Sequence, residues 1–155
     1  MQTVYGAEHE VDAAQALLGK ASKEGDVEGM ERAEAAGADV RAAVYDSSYG
    51  VMGGYGGTCT AAYVAPYHNN GAGLRFLVGA CGVDPNAVDD ADDDEVRPIH
   101  ITCEKGQADA VLVLLALGAD LPVARTRDGF TPCMAAALFS GSVPCLRALA
   151  VGDRA

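Results

Sequence analysis

RPIHITCEKGQADAVLVLLALGAD, residues 97–120, is the stretch on which the reading of this chain turns. It opens on Arg97-Pro98-Ile99-His100, passes through a short helical segment at 101–105 and turns at Gly106. A strongly apolar helical run follows at 110–117, and Gly118-Ala119-Asp120 closes it. Proline suits a first helical position, where its missing N–H would be an orphan anyway. A glycine just past a helix ends it in a left-handed conformation at little steric cost. The pattern predicts two short helices joined by a tight turn.

The stretch resembles the ankyrin repeat in register from Arg97 to Asp120, with Arg97 standing for the usual Thr and Gln107 for the usual His. The resemblance implies a scaffold for contacts rather than a catalytic unit. A second copy, DGFTPCMAAALFSGSVPCLRALAVGD, begins at Asp128. Its Thr131-Pro132 lies 34 residues after Arg97-Pro98, close to the ~33-residue ankyrin period. Gly141 comes one residue late, so this copy carries an inserted residue in its first helix or inner turn. An earlier copy ends LRFLVGACGVDPNA at 74–87, with Gly82 in the closing position. Its opening, Thr60-Ala61-Ala62-Tyr63, lacks the Pro and the His, and Pro66 is expected to shorten or kink its first helix. The first copy is ALLGKASKEGDVEGMERAEAAGADV at 16–40, where Gly25 to Gly37 spans 12 residues, as Gly106 to Gly118 does. The expectation is one domain over 1–155, with units at roughly 13–44, 58–88, 95–124 and 128–152. Its fold class is all-α, a solenoid of stacked helix-turn-helix units with finger loops.

Each motif residue has a physical reason. Thr131 can cap a first helix through its hydroxyl, with Pro132 behind it. Small residues in the first helices (Ala21, Ser22, Ala135, Ala136, Ala137) allow close approach of neighbours. Val111, Leu112, Leu114, Leu115 and Leu117 supply bulk in a second helix, and Gly37, Gly82 and Gly118 end such helices. One unit cannot bury its apolar face alone, so stacking makes the core continuous.

The composition agrees with a packed domain: 155 residues, 50% hydrophobic, 6% aromatic and no Trp. A net charge of −11 repels phosphate backbones, which argues against nucleic acid and anionic membranes and would steer a basic partner surface in. The start, MQTVYGAEHEVDA, has neither the basic region nor the apolar core of a signal peptide, and the apolar run at 110–117 is too short to span a bilayer. The five cysteines (59, 81, 103, 133 and 145) are odd in number and lack a CxxC. Reduced core thiols in an intracellular protein, cytoplasmic or nuclear, are expected.

Two loops break the period. Gly37 to Gly82 is 45 residues, and the excess falls in the Gly/Tyr-rich insertion at 45–57, YDSSYGVMGGYGG. It reads either as a tolerated surface insertion or as a partner loop using Tyr45, Tyr49, Met52 and Tyr55. It has no Gly-Lys-Ser/Thr and is not a phosphate loop. The second is DDADDDE at 89–95. Asp90, Asp92 and Asp94 mimic the first calcium ligands of an EF-hand, but Glu95 falls where Gly is needed and Ile101 where a bidentate Glu is needed. A solvated acidic tip, or a docking site for a basic surface, remains.

No catalytic, cofactor or metal grouping stands out. The resemblance gives His100 a structural role, tying turns together. Cys103 lies one helical turn from it, but its slot is a small-residue core slot, where a thiol is inert. Cys59, Cys81 and Cys103 are 22 residues apart, without metal-ligand clustering. The expected function is non-enzymatic protein binding. Alternatives are a regulatory or targeting fragment of a larger enzyme or channel, or an inhibitor like the ankyrin-type kinase inhibitors.

In the family, partners meet the concave face made by the fingers and first helices. Carried onto this sequence, that face would present Lys20, Lys23 and Glu24, then Tyr67 and His68, then Glu104 and Lys105, then Leu138 and Phe139. Arg125, Arg127 and Phe130 would lie on the last finger. Leu138 and Phe139 either face a partner or are buried by the inserted residue. The last unit, with Val143, Leu146, Leu149 and Val151 and only Arg147 charged, has less charge on its outer face than a terminal repeat normally shows.

Overall fold

A unit that stacks on its neighbours needs short helices, closed ends and small contact residues, and the copies meet these needs differently. The computed structural model describes residues 3–45, 58–88, 96–121 and 129–152, with side chains described from Asp12 onward except those of Ala43, Tyr45, Thr58 and Cys59. The first helix pair is α1 (Thr3–Glu24) and α2 (Val27–Ala35). A hairpin follows, β1 (Ala43–Tyr45) against β2 (Thr58–Thr60), antiparallel with Val44 opposite Cys59. The second pair is α3 (Ala61–Tyr67) and α4 (Gly71–Arg75), the latter continued by a π turn, Phe76–Ala80. The third is α5 (Pro98–Glu104) and α6 (Ala108–Ala116). The fourth is α7 (Pro132–Ala135), its π turn Ala136–Ser140, and α8 (Val143–Gly152).

The first helices pack in a row, α1 on α3, α3 on α5 and α5 on α7, and the second helices form a parallel layer. One apolar cluster joins the first two pairs through Leu18, Met30, Val64 and Leu77. A second runs from Leu74 through Ile99, Val111 and Leu114 to Leu149. The all-α solenoid is the fold observed. The hairpin adds two three-residue strands that the helical reading lacked.

The inner turns share one backbone solution. Gly25, Gly106 and Gly141 take positive φ (+77°, +72°, +58°), and Asn69 takes the same place in the second pair at +61°. Gly37, Gly82 and Gly118 close the second helices in the same left-handed region. Counted from these turns, two helices are one residue too long, and each absorbs the excess as a π turn. Cys81 N–H donates to the Phe76 carbonyl (3.0 Å), and Gly141 N–H donates to that of Ala136. A single extra residue is thereby confined to one widened turn.

Several expectations need correcting. Pro66 does not shorten α3, which has 7 residues, as α5 does. It sits next to the last residue, so only one bond of a two-turn helix is forfeited. Helix α1 starts at Thr3, ahead of the unit boundary read at residue 13. Ala137 is exposed where Ala135 and Ala136 are buried, and Leu112 is 46% exposed, since it points a third of a turn away from Val111 toward the convex side.

Side chains cap three of the four second helices, and one of them also ties neighbouring units. Asp26 caps α2 by accepting from Gly29 N–H (2.9 Å), and the Ser142 hydroxyl accepts from Cys145 N–H (3.3 Å). Asn70 accepts from Gly73 N–H (2.7 Å) and donates to the Ser22 carbonyl of the preceding unit (3.1 Å). A Cβ at Gly73 would collide with that amide. Gln107, at the same position of the third unit, is one methylene longer and does not cap, and its Oε1 is buried without a partner. On the outer loops Arg41 donates to the Cys81 and Gly82 carbonyls (3.3 and 3.1 Å). Asn86 brackets the next loop, donating to the Gly118 carbonyl (3.2 Å) and accepting from Asp120 N–H (2.8 Å).

Two stability predictions follow from these caps. Asn70→Ala removes a cap and a buried tie between units, and should lower unfolding free energy by about 2 kcal/mol in urea titration. Gln107→Asn restores a capping side chain and should raise it by about 1 kcal/mol in the same assay.

Candidate interaction surface

Positions just before the inner turn are wholly or partly exposed in every unit, following the buried Ser22, Pro66 and Cys103 in the first three. One row holds Lys23, Tyr67, Glu104 and Phe139; the next holds Glu24, His68, Lys105 and Ser140. Tyr67 is half-covered: Tyr63 stacks beneath it (ring centroids 6.4 Å, 16°), the His68 ring meets its edge (5.1 Å), and Lys105 Nζ lies 4.1 Å from its ring centre. This cation–π contact reaches from the third unit to the second and contributes about 0.5–1 kcal/mol at such a site. Tyr63, one helical turn before Tyr67, was missed in the sequence, although the i, i+4 spacing could have revealed it.

At the other end of the row, Phe139 is 55% and Leu138 66% exposed. The inserted residue therefore does not bury them, because the π turn widens and turns them outward. Phe130, before α7, packs its ring against Phe139 at 5.6 Å. Ser140 donates to the Cys103 carbonyl (2.9 Å), the same kind of tie that Asn70 makes to Ser22. The structure thus groups Tyr67, His68 and Lys105 at the centre and Phe130 with Phe139 at the end. Lys20 is exposed but not part of the rows, since its slot corresponds to Val64 and Ile101. Arg125, Arg127, Tyr49, Met52 and Tyr55, like the acidic segment 89–95, lie outside the described residues, as does the side chain of Tyr45. Beside the inner turns a groove of about 580 Å³ runs past Asn69, Lys105, Gln107, Asp109 and Pro144.

His100 is fully buried, and its Nδ1 accepts from Arg97 N–H (3.1 Å) at the start of its own helix. That bond holds the start of α5 where Arg97 cannot cap as Thr131 does, by accepting from Met134 N–H (3.2 Å). Burial pushes the Cys103 thiol up to about 12, with the neighbouring Cys145 and Cys133 adding to the shift. It is protonated at neutral pH and is not an activated nucleophile. Among the described residues no helix is long and apolar enough to cross a membrane. No group of three His, Cys, Asp or Glu that could hold a metal ion occurs among them either.

Repeated helix-turn-helix pairs, closed by left-handed turns and stacked through both helix layers, define a repeat solenoid built for contact. Residues 59–154 match the ankyrin repeats, in three copies, and the chain belongs to that family. No curated protein matches it significantly. Ankyrin repeats are generally protein–protein interaction modules. The match covers the second to fourth helix pairs; α1 and α2 lie before it.

The Cys103 environment gives a pH prediction. The folded thiol keeps its proton up to about 12, whereas an unfolded one releases it near 9.0. The unfolded state therefore binds fewer protons above pH 9, and stability falls as pH rises beyond that point. Urea titrations between pH 8 and about 10.5 should show this loss, with a shallower slope in Cys103→Ala.

Proposed function

We propose that this chain is a non-enzymatic binding module that takes a protein partner along its concave rows. Tyr67, His68, Glu104 and Lys105 form the centre of the contact and Phe130, Leu138 and Phe139 its apolar end. The observation that carries this reading is the solvent-facing Phe130–Phe139 pair, with Phe139 55% exposed, in line with the Tyr67–Lys105 stack. Aromatic side chains partly fixed by neighbours lose little entropy on binding and tend to be binding hot spots. The first helix pair acts as a fourth unit, since it has the same inner turn and closing glycine as the matched copies. Tyr49, Tyr55, Arg125 and Arg127, read from the sequence as finger residues and lying outside the described residues, are further contact candidates, and an intracellular setting suits the free thiols of Cys81, Cys103, Cys133 and Cys145. A partner with a basic surface would be drawn to the acidic sequence at 89–95, since in the rows Lys23 and Lys105 offset Glu24 and Glu104.

The test is capture from cell lysate with mass spectrometry, followed by an affinity measurement on the captured partner. The intact chain is compared with Tyr67→Ala/Phe139→Ala, checked for fold by circular dichroism. The double variant should bind at least about tenfold more weakly, as expected for losing two hot spots. An unchanged affinity would remove the rows from the contact.

A further inference from the structure

We propose that the outer side of the fourth unit, α7 with its π turn and α8, pairs back to back with the same side of a second copy of this chain. Slots define this side. In the third unit Ile99, His100 and Cys103 are all 0% exposed because the fourth unit stacks on them. The same slots of the fourth unit hold Cys133, Met134 and Ala137, all exposed, Met134 at 42%. Leu138, one turn beyond Met134, continues the strip at 66%, and Leu146, in the slot where Val111 is fully buried, is only partly covered. Among the described residues nothing covers this side.

Three features select a second copy as the occupant. The side is nearly free of charge: from residue 129 to 152 the only charged residue is Arg147, in a chain of net charge −11. It offers a foreign chain no charge pattern to read, and pairing there keeps the acidic α2 of the two copies at opposite ends. The strip is also self-complementary. Small and large residues alternate as Cys133, Met134, Ala137 and Leu138, so in an antiparallel two-fold arrangement each large side chain faces a small one. Head-to-tail stacking is disfavoured, because the outward slot of the first unit, equivalent to the buried Val64, Ile101 and Ala135, holds the exposed Lys20. Stacking onto it would strip an ammonium group of water. The face is two helices wide, and α8 has 10 residues, about 15 Å, so the pair is weak and depends on concentration.

Sedimentation equilibrium tests this on the intact chain from about 10 µM to about 1 mM, the range in which so small an interface associates. The apparent mass should climb from 15.8 kDa toward twice that value. Met134→Glu and Leu138→Glu, both at exposed positions, should each weaken pairing by at least about tenfold by setting like charges across the two-fold axis. Leu112→Glu, on the convex side, should leave it unchanged. A monomer at every concentration overturns the proposal, as does a dimer indifferent to both variants, or growth beyond a dimer, which would mean head-to-tail stacking. Pairing through this end leaves Tyr67, His68, Glu104 and Lys105 uncovered and shares only Leu138 with the proposed concave contact, so the Met134→Glu result is independent of that contact.

Discussion

A pair of short antiparallel helices has apolar residues on two sides and can cover neither by itself. Everything else in this molecule depends on neighbouring pairs covering one another. Ile99, His100 and Cys103 have no accessible surface, yet α5 has only 7 residues and could not hide them alone. Their burial comes from α3 on one side and α7 on the other. The same slots one unit later are open, so burial here is a property of place in the stack rather than of residue type. The rule also explains why His100, a polar side chain, is tolerated at the centre: its ring nitrogen accepts the backbone N–H that opens its own helix.

Apolar contact sets how closely the units approach but is poor at fixing register, since one small side chain slides easily past another. Register comes from polar ties at the two edges of the stack. At the inner edge the Ser22 and Cys103 carbonyls receive Asn70 and Ser140 from the unit that follows. At the outer edge Arg41 and Asn86 reach the loops of the next unit. Such ties require the turns to stay in line, whatever the helices between them contain. The two one-residue insertions respect this: each is taken up in a π turn, and the following turn falls into place. Widening one turn forfeits little, whereas shifting a unit would break ties at both edges.

This division explains what could be read from the sequence. The turns were legible because few residues take positive φ, and Gly25, Gly37, Gly82, Gly106, Gly118 and Gly141 mark them. Asn69 does so as well, though its unit looked degenerate once the Pro and His of its opening were missing. The extra residue before Gly141 was visible as a count, but its consequence was not. Burial of Leu138 and Phe139 and their exposure were equally consistent with one added residue, and only the π turn decides between them. Leu112 and Ala137 show the same limit, since an apolar run does not say which of its members points out. Of the candidate site, the sequence identified Tyr67, His68, Lys105 and Phe139 by position, but not the contacts that join Lys105 to Tyr67 or Phe130 to Phe139.

Where the repeat stops constraining the chain, its residues diverge. The row before the inner turn reads lysine, tyrosine, glutamate and phenylalanine, four chemistries at one geometric position. The slots a few residues earlier show no such range: Leu18, Ala62, Ile99 and Cys133 are all apolar or small, and the first three are buried. A position that faced only water would have no need of two aromatic rings, and exposing a phenylalanine at 55% is unfavourable in water. The same argument applies to Met134 and Leu138 at the end of the stack. In both places apolar surface is left open to water, and that supports reading both as contact surfaces. The two surfaces differ in kind. The rows combine charge with aromatic rings, which suits selection of one partner over others, while the end of the stack has shape with a single charge, Arg147, which suits the proposed match to itself.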